Sequence, residues 1–500
     1  MHLNLTSALA RPFAGFIYKS IKKGMHTAAD DQHRILANLI QSAQKTVFGS
    51  DHAFKDIHTH AEFAQAVPIR DYEQLKPYIE LIKQGKVNVL WKGKPLYFAK
   101  TSGTTSGVKY IPISKDSISN HIQGARNAIL CYIAETGKSA FTSGKMIFLS
   151  GSPELERVGG IPTGRLSGIV NHHVPAYLRS NQLPAYDTNC IEDWETKLDQ
   201  IVAETIHQPM SLISGIPPWM QMYFDRLEAK SGKKIGDLFP QFNLMIQGGV
   251  NFAPYQQKLF NSIGRPIDTI ELYPASEGFF AFQDSQSAPG LLLNTNSGIF
   301  YEFIPVNEVF NPQTTRLTLD QISIGVQYAL VISSNAGLWG YLVGDTVKFI
   351  SIQPFRLVVT GRIKHFISAF GEHVIGEEVE KAMQKAVEVT GARITEFTVA
   401  PLINTSEGKS YHEWMIEFEK QPADYTSFIE VLDQAMREQN VYYDDLIRGN
   451  ILDRLHITRI QKDGFIQYMK AAGKLGGQNK VPRLSNDRQL ADALQSYIYS

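Results

Sequence analysis

Hydrophobic residues recur at helical spacing through the first part of the chain. In residues 33–46 (HRILANLIQSAQKT) the apolar positions fall on one helical face. Residues 72–85 (YEQLKPYIELIKQG) repeat the pattern, and residues 114–135 show it again over a longer stretch. The spacing therefore predicts helices here, with a short stretch between the second and third that is not helical.

Apolar runs and helical patterns alternate regularly between residues 210 and 278. The strand-like runs are MSLISGIPP, FNLMIQGG and IDTIELYPASEG, and amphipathic segments separate them. Repeated β-α-β units predict a mostly parallel sheet flanked by helices. Ligands of such sheets bind at the carboxyl ends of the strands, where SGIPP, QGGV and YPASEG stand.

The pattern changes after Phe279. Segments such as IFYEFIPV, VQYALVIS and FRLVVTG are alternating or wholly apolar, which predicts an antiparallel, barrel-like subdomain over about residues 279–360. Beyond a glycine-rich boundary, helical and strand patterns alternate on a smaller scale. We predict an α/β protein with a large domain at 1–362 and a small α+β domain at 363–500.

Composition narrows the class of partner. The 500 residues contain 49 Lys and Arg against 49 Asp and Glu, so no overall field attracts nucleic acid. The chain has two cysteines, Cys131 and Cys190, which is typical of a reducing compartment. The N-terminal segment is interrupted by Arg11 and Pro12 and is a poor signal peptide, and no window has the length of a membrane span. These features predict a cytoplasmic protein, with a monomer favoured.

Residues 100–114 (KTSGTTSGVKYIPIS) combine hydroxyls, glycines and a lysine. Glycines let successive backbone N–H groups approach an anion, and short hydroxyls with Lys109 add donors and charge. The spacing of Gly103, Gly107 and Lys109 does not fit a Walker A motif. The open alternative is a flexible Ser/Gly surface loop, although the flanks resemble strands.

Three other segments have chemistry that suits a nucleotide. ELYPASEG places an aromatic, Tyr273, four residues before a carboxylate, Glu277, that can hold Mg²⁺. YLVGDTVKF places Asp345 in an apolar β run, where ribose hydroxyls would satisfy it. Basic residues follow, with Arg362 at the domain boundary and Lys480 in GGQNKVPRL. Taken singly, each has an ordinary structural explanation: a strand end, a hairpin turn or a solvated tail.

Their order is more specific than any one of them. The succession resembles the adenylate-forming superfamily of acyl ligases and luciferases. Within that superfamily, the sequence most resembles the Gretchen-Hagen-type acyl acid amido synthetases, in particular their shorter bacterial relatives. The segments that carry this resemblance are VPIRDYEQLKPYIE, TSGTTSGVKYIPIS, SGIPPWM, GGVNFAPY, LYPASEGFFAFQ, YLVGDTVKF, VVTGRIKHFISAFGEHV and GGQNKVPRL. The likeness extends over most of the chain beyond about residue 60.

The resemblance implies a ligase that activates a carboxylic acid with ATP and Mg²⁺ and passes the acyl group to an amino acid. It implies Lys480, Glu277 and Arg362 as catalytic residues, Glu277 as the metal ligand, and a C-terminal domain that rotates between half-reactions. The nucleotide-binding positions that it implies are Thr101, Ser102, Gly103, Thr104, Thr105, Lys109, Gly249, Val250, Tyr273, Ser276 and Asp345. Candidates for the acyl pocket are His121, Arg126, Ile169 and His173, with packing or surface roles as the alternative.

Two other functions stay open at this point. The same first half-reaction could serve thioester formation on coenzyme A or a carrier protein. A binding protein that has lost turnover is a third possibility, but it would not need Lys480. Thr101 also stands where two serines are common in the family, a change that keeps the hydroxyl.

Overall fold

The computed structural model describes residues 5–102, 108–174, 179–249, 252–309, 311, 314–363, 366–367, 374–402, 410–448, 452–475, 480–485 and 487–499. The helices in these ranges are Leu5–Met25, Ala28–Ala43, Val47–Asp51, His60–Ala66, Tyr72–Lys83, Ile118–Thr136, Leu166–Asn171, Tyr186–Cys190, Trp194–Thr205, Pro217–Ser231, Ile235–Leu238, Ala253–Ile263, Gly376–Thr390, Tyr425–Gln439, Val441–Arg448, Gly464–Ala471 and Gln489–Leu494. No helix within them is long and apolar enough to cross a membrane.

The strands are β1 Tyr97–Ser102, β2 Val108–Ile113, β3 Lys145–Phe148, β4 Glu156–Val158, β5 Ile161–Gly164, β6 Gln182–Leu183, β7 Met210–Gly215, β8 Leu244–Gly248, β9 Asp268–Ala275, β10 Gly278–Phe282, β11 Leu291–Leu293, β12 Ile299–Pro305, β13 Gln327–Ser334, β14 Tyr341–Ile352, β15 Phe355–Arg362, β16 Phe366–Ile367, β17 Val374–Ile375, β18 Arg393–Leu402, β19 Tyr411–Lys420 and β20 His456–Ile460. The predicted strands and helices of residues 210–275 are present, which confirms the β-α-β reading of that region.

The chain forms two compact units. The larger comprises Met1–Val343 and Val347–Val358, and the smaller comprises Gly344–Thr346 and Val359–Ser500. Three residues from the middle of β14 thus belong with the C-terminal part. The boundary predicted between residues 362 and 363, and the rotation of the C-terminal domain, stay predictions.

One eleven-stranded sheet runs in the order β12-β13-β14-β15-β11-β10-β9-β8-β7-β3-β6. The end containing β9, β8, β7, β3 and β6 is parallel, as alternating apolar runs and helices require. The helix Pro217–Ser231 packs against β7, and the helix Ile118–Thr136 packs against β9 and β10. The carboxyl ends of the parallel strands therefore lie at one edge.

The antiparallel strands after Phe279 are present, but among the described residues they do not close into a barrel. They extend the parallel sheet instead, and this corrects the prediction of a barrel-like subdomain. The cause is the turn between β9 and β10, where Ala275 pairs with Gly278 across only two residues. Such a tight connection obliges β10 to pair beside β9, so the later strands continue the same sheet.

A second sheet of four strands, in the order β2-β1-β5-β4, also belongs to the larger unit. Within it β1 pairs antiparallel with β2 and parallel with β5. The adjoining helix Tyr72–Lys83 begins at Asp71, whose side chain accepts from the backbone N–H of Gln74 in a capping box. This helix packs against β2, so the helical pattern before residue 85 supports the hairpin.

The smaller unit contains the sheet β18-β19-β20 and the helices Gly376–Thr390 and Tyr425–Gln439. Its core includes Phe397, Trp414 and Phe428, all nearly inaccessible to solvent. The α+β composition predicted for the C-terminal part is confirmed. Burial of these aromatic side chains contributes about 2 to 3 kcal/mol each, which suits an independent core.

Candidate active site

The hairpin of β1 and β2 carries the first predicted phosphate contacts. Thr101 pairs with Lys109 and Ser102 pairs with Val108, so five residues connect the strands. Gly103, Thr104 and Thr105 lie in that connection, outside the described residues. The Lys109 ammonium is 5.7 Å from the ring centroid of Tyr72, which lies beneath the hairpin. Thr101, which has a hydroxyl, and Lys109, which has a cation, are thus paired across the hairpin at the end where residues 103–107 connect its strands.

The turn between β9 and β10 holds the second group. Ser276 and Glu277 are its two central residues, since Ala275 pairs with Gly278. Tyr273, two residues before the turn, is 6% exposed and meets the ring of Phe280 edge to face at 5.1 Å. A buried aromatic beside an open turn can cover one face of a planar base, while the turn presents the Glu277 carboxylate.

Tyr341 was not among the predicted site residues, and it contacts Glu277 directly. Its hydroxyl donates to Oε1 of Glu277 at 3.4 Å. Burial, and then the Glu277 charge, raise the pKa of Tyr341 well above its usual range, so it remains a neutral donor. The signal was present in the sequence, because Tyr341 opens the YLVGD motif from which only Asp345 was chosen.

The carboxyl end of β8 lies beside this turn. Gly248 pairs with Leu272 of the neighbouring strand, and a Cβ at position 248 would come within 2.3 Å of the Leu272 carbonyl oxygen. Glycine is therefore needed for close packing of the two strands. Gly249 follows with a φ of 84°, which turns the chain sharply out of the sheet. Val250 lies outside the described residues.

The third group belongs to the smaller unit and joins three distant stretches of sequence. Arg362 Nε donates to Oδ1 of Asp345 at 2.9 Å. Lys480 interacts electrostatically with both. It is exposed as a residue, yet burial around its ammonium lowers the pKa to about 8, with Asp345 opposing that change and Arg362 adding to it. One carboxylate and two cations thus lie near one another in the smaller unit, and their roles stay predictions.

The acyl-pocket candidates occupy different environments. His121 is 5% exposed, its Nδ1 has no partner among the described residues, and burial lowers its pKa to about 4. His173 lies with Nε2 3.1 Å from the hydroxyl of Tyr97 on β1. Ile169 is wholly buried in the main core, and Arg126 is exposed and bonded to Asn127. His121, His173 and Arg126 present polar groups, Ile169 presents none, and the roles of all four stay predictions.

The donor set near Glu277 can be tested for its fit to Mg²⁺. No group of three or more His, Cys, Asp or Glu side chains that could hold a metal ion occurs in the described ranges. Mg²⁺ in phosphate-transferring sites is bound by one or two carboxylates, together with water and substrate phosphates. A single carboxylate, Glu277, therefore fits an ion that arrives with a nucleotide and does not fit a resident metal.

Comparison with known proteins gives consistent matches along the chain. The model of the GH3 family N-terminal domain matches residues 17–189, that of the GH3 family central domain residues 292–362, and that of the GH3 family C-terminal domain residues 377–489. The chain is 22% identical to a probable indole-3-acetic acid-amido synthetase, GH3.1, of Arabidopsis thaliana over 99% of its own length and 96% of that protein. It is also 22% identical to the jasmonoyl-L-amino acid synthetase JAR4 of Nicotiana attenuata, over 57% of this chain and 60% of that protein.

Solved structures confirm the predicted fold class. The acyl acid amido synthetase AtGH3.15, in complex with 2,4-DB, superposes with a TM-score of 0.79 at 15% identity, covering 97% of this chain and 96% of that one. A 2-hydroxyisobutyryl-CoA ligase in the postadenylation state superposes with a TM-score of 0.59 at 12% identity, covering 93% and 91%. At these identities the likeness concerns the fold alone.

Proposed function

Because the chain belongs to the GH3 family, as its three matched domains show, we propose that it adenylates a carboxylic acid with ATP and transfers the acyl group to an amino acid. The products are an amide, AMP and pyrophosphate. The observation that carries the proposal is the meeting of Asp345, Arg362 and Lys480 in the smaller unit. A protein that only bound an acid would have no use for two cations and a carboxylate gathered from three separate stretches.

The larger unit would hold the triphosphate. Thr101 and Lys109, with Ser102, Gly103, Thr104 and Thr105, are proposed to bind the β- and γ-phosphates. Glu277 would hold Mg²⁺, which neutralises charge on the departing pyrophosphate, and Tyr341 would keep the carboxylate oriented through its hydrogen bond. Tyr273 and Ser276, with Gly249 and Val250, would line the adenine.

The smaller unit would act on the reacting end. Asp345 would accept hydrogen bonds from the ribose hydroxyls, and Arg362, bonded to Asp345, would lie by the ribose and the α-phosphate. The Lys480 ammonium would stabilise the negative charge that grows as the substrate carboxylate attacks phosphorus. Removing one such electrostatic contact costs about 10²- to 10³-fold in rate. The protein supplies alignment and charge, and the substrate supplies the nucleophile.

The cellular setting follows from the same proposal. ATP and small carboxylic and amino acids are abundant in the cytoplasm, and both cysteines are free thiols, which supports a cytoplasmic enzyme. We also propose that the enzyme is a monomer.

Acid-dependent exchange of pyrophosphate into ATP tests the first half-reaction. A panel of aryl and alkyl carboxylic acids should contain at least one that supports exchange, and Lys480→Ala should lower that exchange by 10²-fold or more while ATP still binds. Lys474→Ala is the matched control, an exposed lysine beyond the helix Gly464–Ala471, and should keep full exchange. No exchange with any acid would refute the proposal.

Mass spectrometry tests the second half-reaction. With amino acids and coenzyme A offered together, we expect the mass of an amide. A thioester mass would instead assign the chain to the chemistry of the CoA ligases that share its fold.

A further inference from the structure

Arg165 is the first residue after β5, at an edge shared with the phosphate hairpin. β5 runs parallel to β1, with Thr163 opposite Phe98 and Gly164 opposite Ala99. Beyond that pairing, β1 continues through Thr101 to Ser102, while β5 ends and is followed by Arg165. The carboxyl ends of parallel strands meet at one edge, so Arg165 emerges about one strand spacing, roughly 5 Å, from the stretch that leads to the phosphate loop.

Arg165 is partly buried, and within the described ranges its guanidinium makes no hydrogen bond or ion pair. Burial alone lowers its pKa, with no carboxylate contributing. An arginine that is partly withdrawn from water and has no paired carboxylate gains from a ligand that supplies one.

Lys197 adds positive charge to the surroundings of Arg165, while Glu154, whose charge acts on Cys190, makes no ion pair with that arginine in the described ranges. Lys197 is 2% exposed, and its ammonium donates to the carbonyl oxygens of Ser150 at 2.9 Å and Asn189 at 2.7 Å. Burial lowers the pKa of Lys197 to about 8; Cys190 opposes that change and Arg165 adds to it. Lys197 is therefore fixed by carbonyl groups, and the charge of Arg165 stays unneutralised.

The backbone is shaped to admit this arginine. Gly151 follows β3, whose carboxyl end belongs to the large sheet, and a Cβ there would come within 2.6 Å of Cδ of Arg165. The Asn189 side chain, 1% exposed, has a partner for neither Oδ1 nor Nδ2 in the described part of the chain. Two polar side chains without protein partners in the described ranges, Arg165 and Asn189, are thus found in the region where the carboxyl ends of β5 and β3 come close.

Neighbouring cations differ in this respect. Lys100, on β1, pairs with Glu156 at 3.0 Å. Arg179 donates to the carbonyl oxygens of His172 and Val174, and Arg157 donates to that of Gly160. Among the residues that the structure describes, Arg165 therefore differs from these three cations in lacking a protein partner.

We propose that Arg165 binds the α-carboxylate of the amino acid acceptor. The assignment rests on the proposed function. The guanidinium fork matches a carboxylate through two parallel hydrogen bonds. A fixed cation suits the acceptor's carboxylate, because that group stays charged through the whole reaction. Held against the acyl acid's carboxylate, the same cation would stabilise the ground state of the attacking group and slow adenylation.

The chemistry of the step is consistent with this role. The neutral amine attacks the carbonyl carbon of the acyl-adenylate, a C–N bond forms, and the C–O bond to AMP breaks with its electron pair leaving on AMP. The amine's proton passes to water. The acceptor carboxylate takes no part in the bond changes, so Arg165 binds and orients the acceptor without acting on the reacting atoms.

The test compares Arg165→Ala and Arg165→Lys with Arg157→Ala, an exposed arginine on β4 that serves as the control. The acid with the fastest pyrophosphate exchange is the acyl donor. Three acceptors are used: the amino acid that gives most amide, its carboxamide, which has no carboxylate, and hydroxylamine. Arg165→Ala should raise the KM for the amino acid about 10- to 100-fold, and Arg165→Lys less. Exchange, carboxamide and hydroxylamine rates should change by less than about twofold.

The ratio of kcat/KM for the amino acid to kcat/KM for its carboxamide is measured on one sample of each variant. This ratio does not depend on how much of the variant is folded, because the same folded enzyme turns over both acceptors. An unchanged ratio in both Arg165 variants would overturn the assignment. A rise in the KM for the acyl acid or for ATP in the exchange assay would also overturn it, because a different anion would then bind Arg165. A wild-type enzyme that forms hydroxamate but no amide with any amino acid would overturn it as well. Absence of exchange in the wild type contradicts instead the proposed function itself.

Discussion

The pKa of Lys480 allows a test of whether adenylation needs the positive charge of this side chain or only the side chain itself. A lysine ordinarily titrates near pH 10.4, but burial, offset by Asp345 and reinforced by Arg362, lowers the pKa of Lys480 to about 8. If the charged ammonium stabilises the attack of the carboxylate, adenylation needs the protonated form. The rate of acid-dependent pyrophosphate exchange should then fall as pH rises through 8.

The magnitude follows from that value. With a pKa near 8, about nine tenths of Lys480 is charged at pH 7, about half at pH 8 and about a tenth at pH 9. Exchange should therefore drop about tenfold between pH 7 and pH 9. A lysine with an ordinary pKa would lose less than a tenth of its charge over the same interval.

The assay is kcat/KM for exchange at fixed Mg²⁺ with ATP and acid below saturation, which reports the pKa of the free enzyme, and each sample is returned to pH 7 afterwards to verify that activity recovers. In Lys480→Arg the guanidinium stays charged throughout, so its residual exchange should be flat from pH 7 to 9. The same alkaline decline in Lys480→Arg would refute the reasoning, because another group would then cause it. Competitive acylation of Lys480 across pH, read by mass spectrometry, gives its pKa independently of activity, and a value near 10.4 would also refute it.

Three further predictions concern the framework of the larger unit. Burial lowers the pKa of His121 to about 4, below the value of about 6.5 in an unfolded chain, so its contribution to stability, present above pH 6.5, should be lost as pH falls towards 4. The loss is up to about 3 kcal/mol, and denaturant midpoints should be less acid-sensitive in His121→Gln. Arg356 donates to both oxygens of Asp284 at 2.6 and 2.9 Å with both side chains buried, so Asp284→Ala should destabilise by about 3 to 5 kcal/mol, and Asp284→Ala with Arg356→Leu by less; equal losses would contradict the pairing. Gly248→Ala would push the strands β8 and β9 apart and should lower the free energy of unfolding by about 1 to 3 kcal/mol, seen as a lower thermal midpoint; an unchanged midpoint would contradict this.

The local elements of the fold were predictable because their signal is periodic. The runs MSLISG and LMIQG are short, apolar and flanked by turn residues, and they form β7 and β8 as expected. The N-terminal segment was harder to interpret, since Arg11 and Pro12 break its apolar run and no helix was predicted there. It is a continuous helix, Leu5–Met25, and Ala14 on it is wholly buried against the cluster that includes Ala128. Tertiary burial outweighs the lost backbone hydrogen bond at Pro12, and sequence periodicity does not report tertiary partners.

Sheet membership was beyond the sequence for a related reason. The strands after Phe279 have the composition of any antiparallel sheet, and nothing in their patterning says which neighbour they take. The two-residue turn at Ser276 and Glu277 decides it, because it keeps β10 beside β9. The same turn places Glu277 at the edge where ligands bind, so the element that made the barrel prediction wrong also positions the proposed metal ligand.

Some site residues can be proposed from local sequence, whereas others depend on contacts between distant parts of the chain. Asp345, Arg362 and Lys480 were proposed as site residues because the motifs around them occur in a characteristic order, and ordered motifs survive low identity. Arg165 stands in TGRLSG, an unremarkable stretch whose importance depends on partners it lacks. Its neighbour on β1, Lys100, looks equally basic in sequence, yet Glu156 neutralises it at 3.0 Å. A charge without a partner is a property of the folded arrangement, so a substrate-binding cation of this kind becomes visible only once every nearby carboxylate has been located.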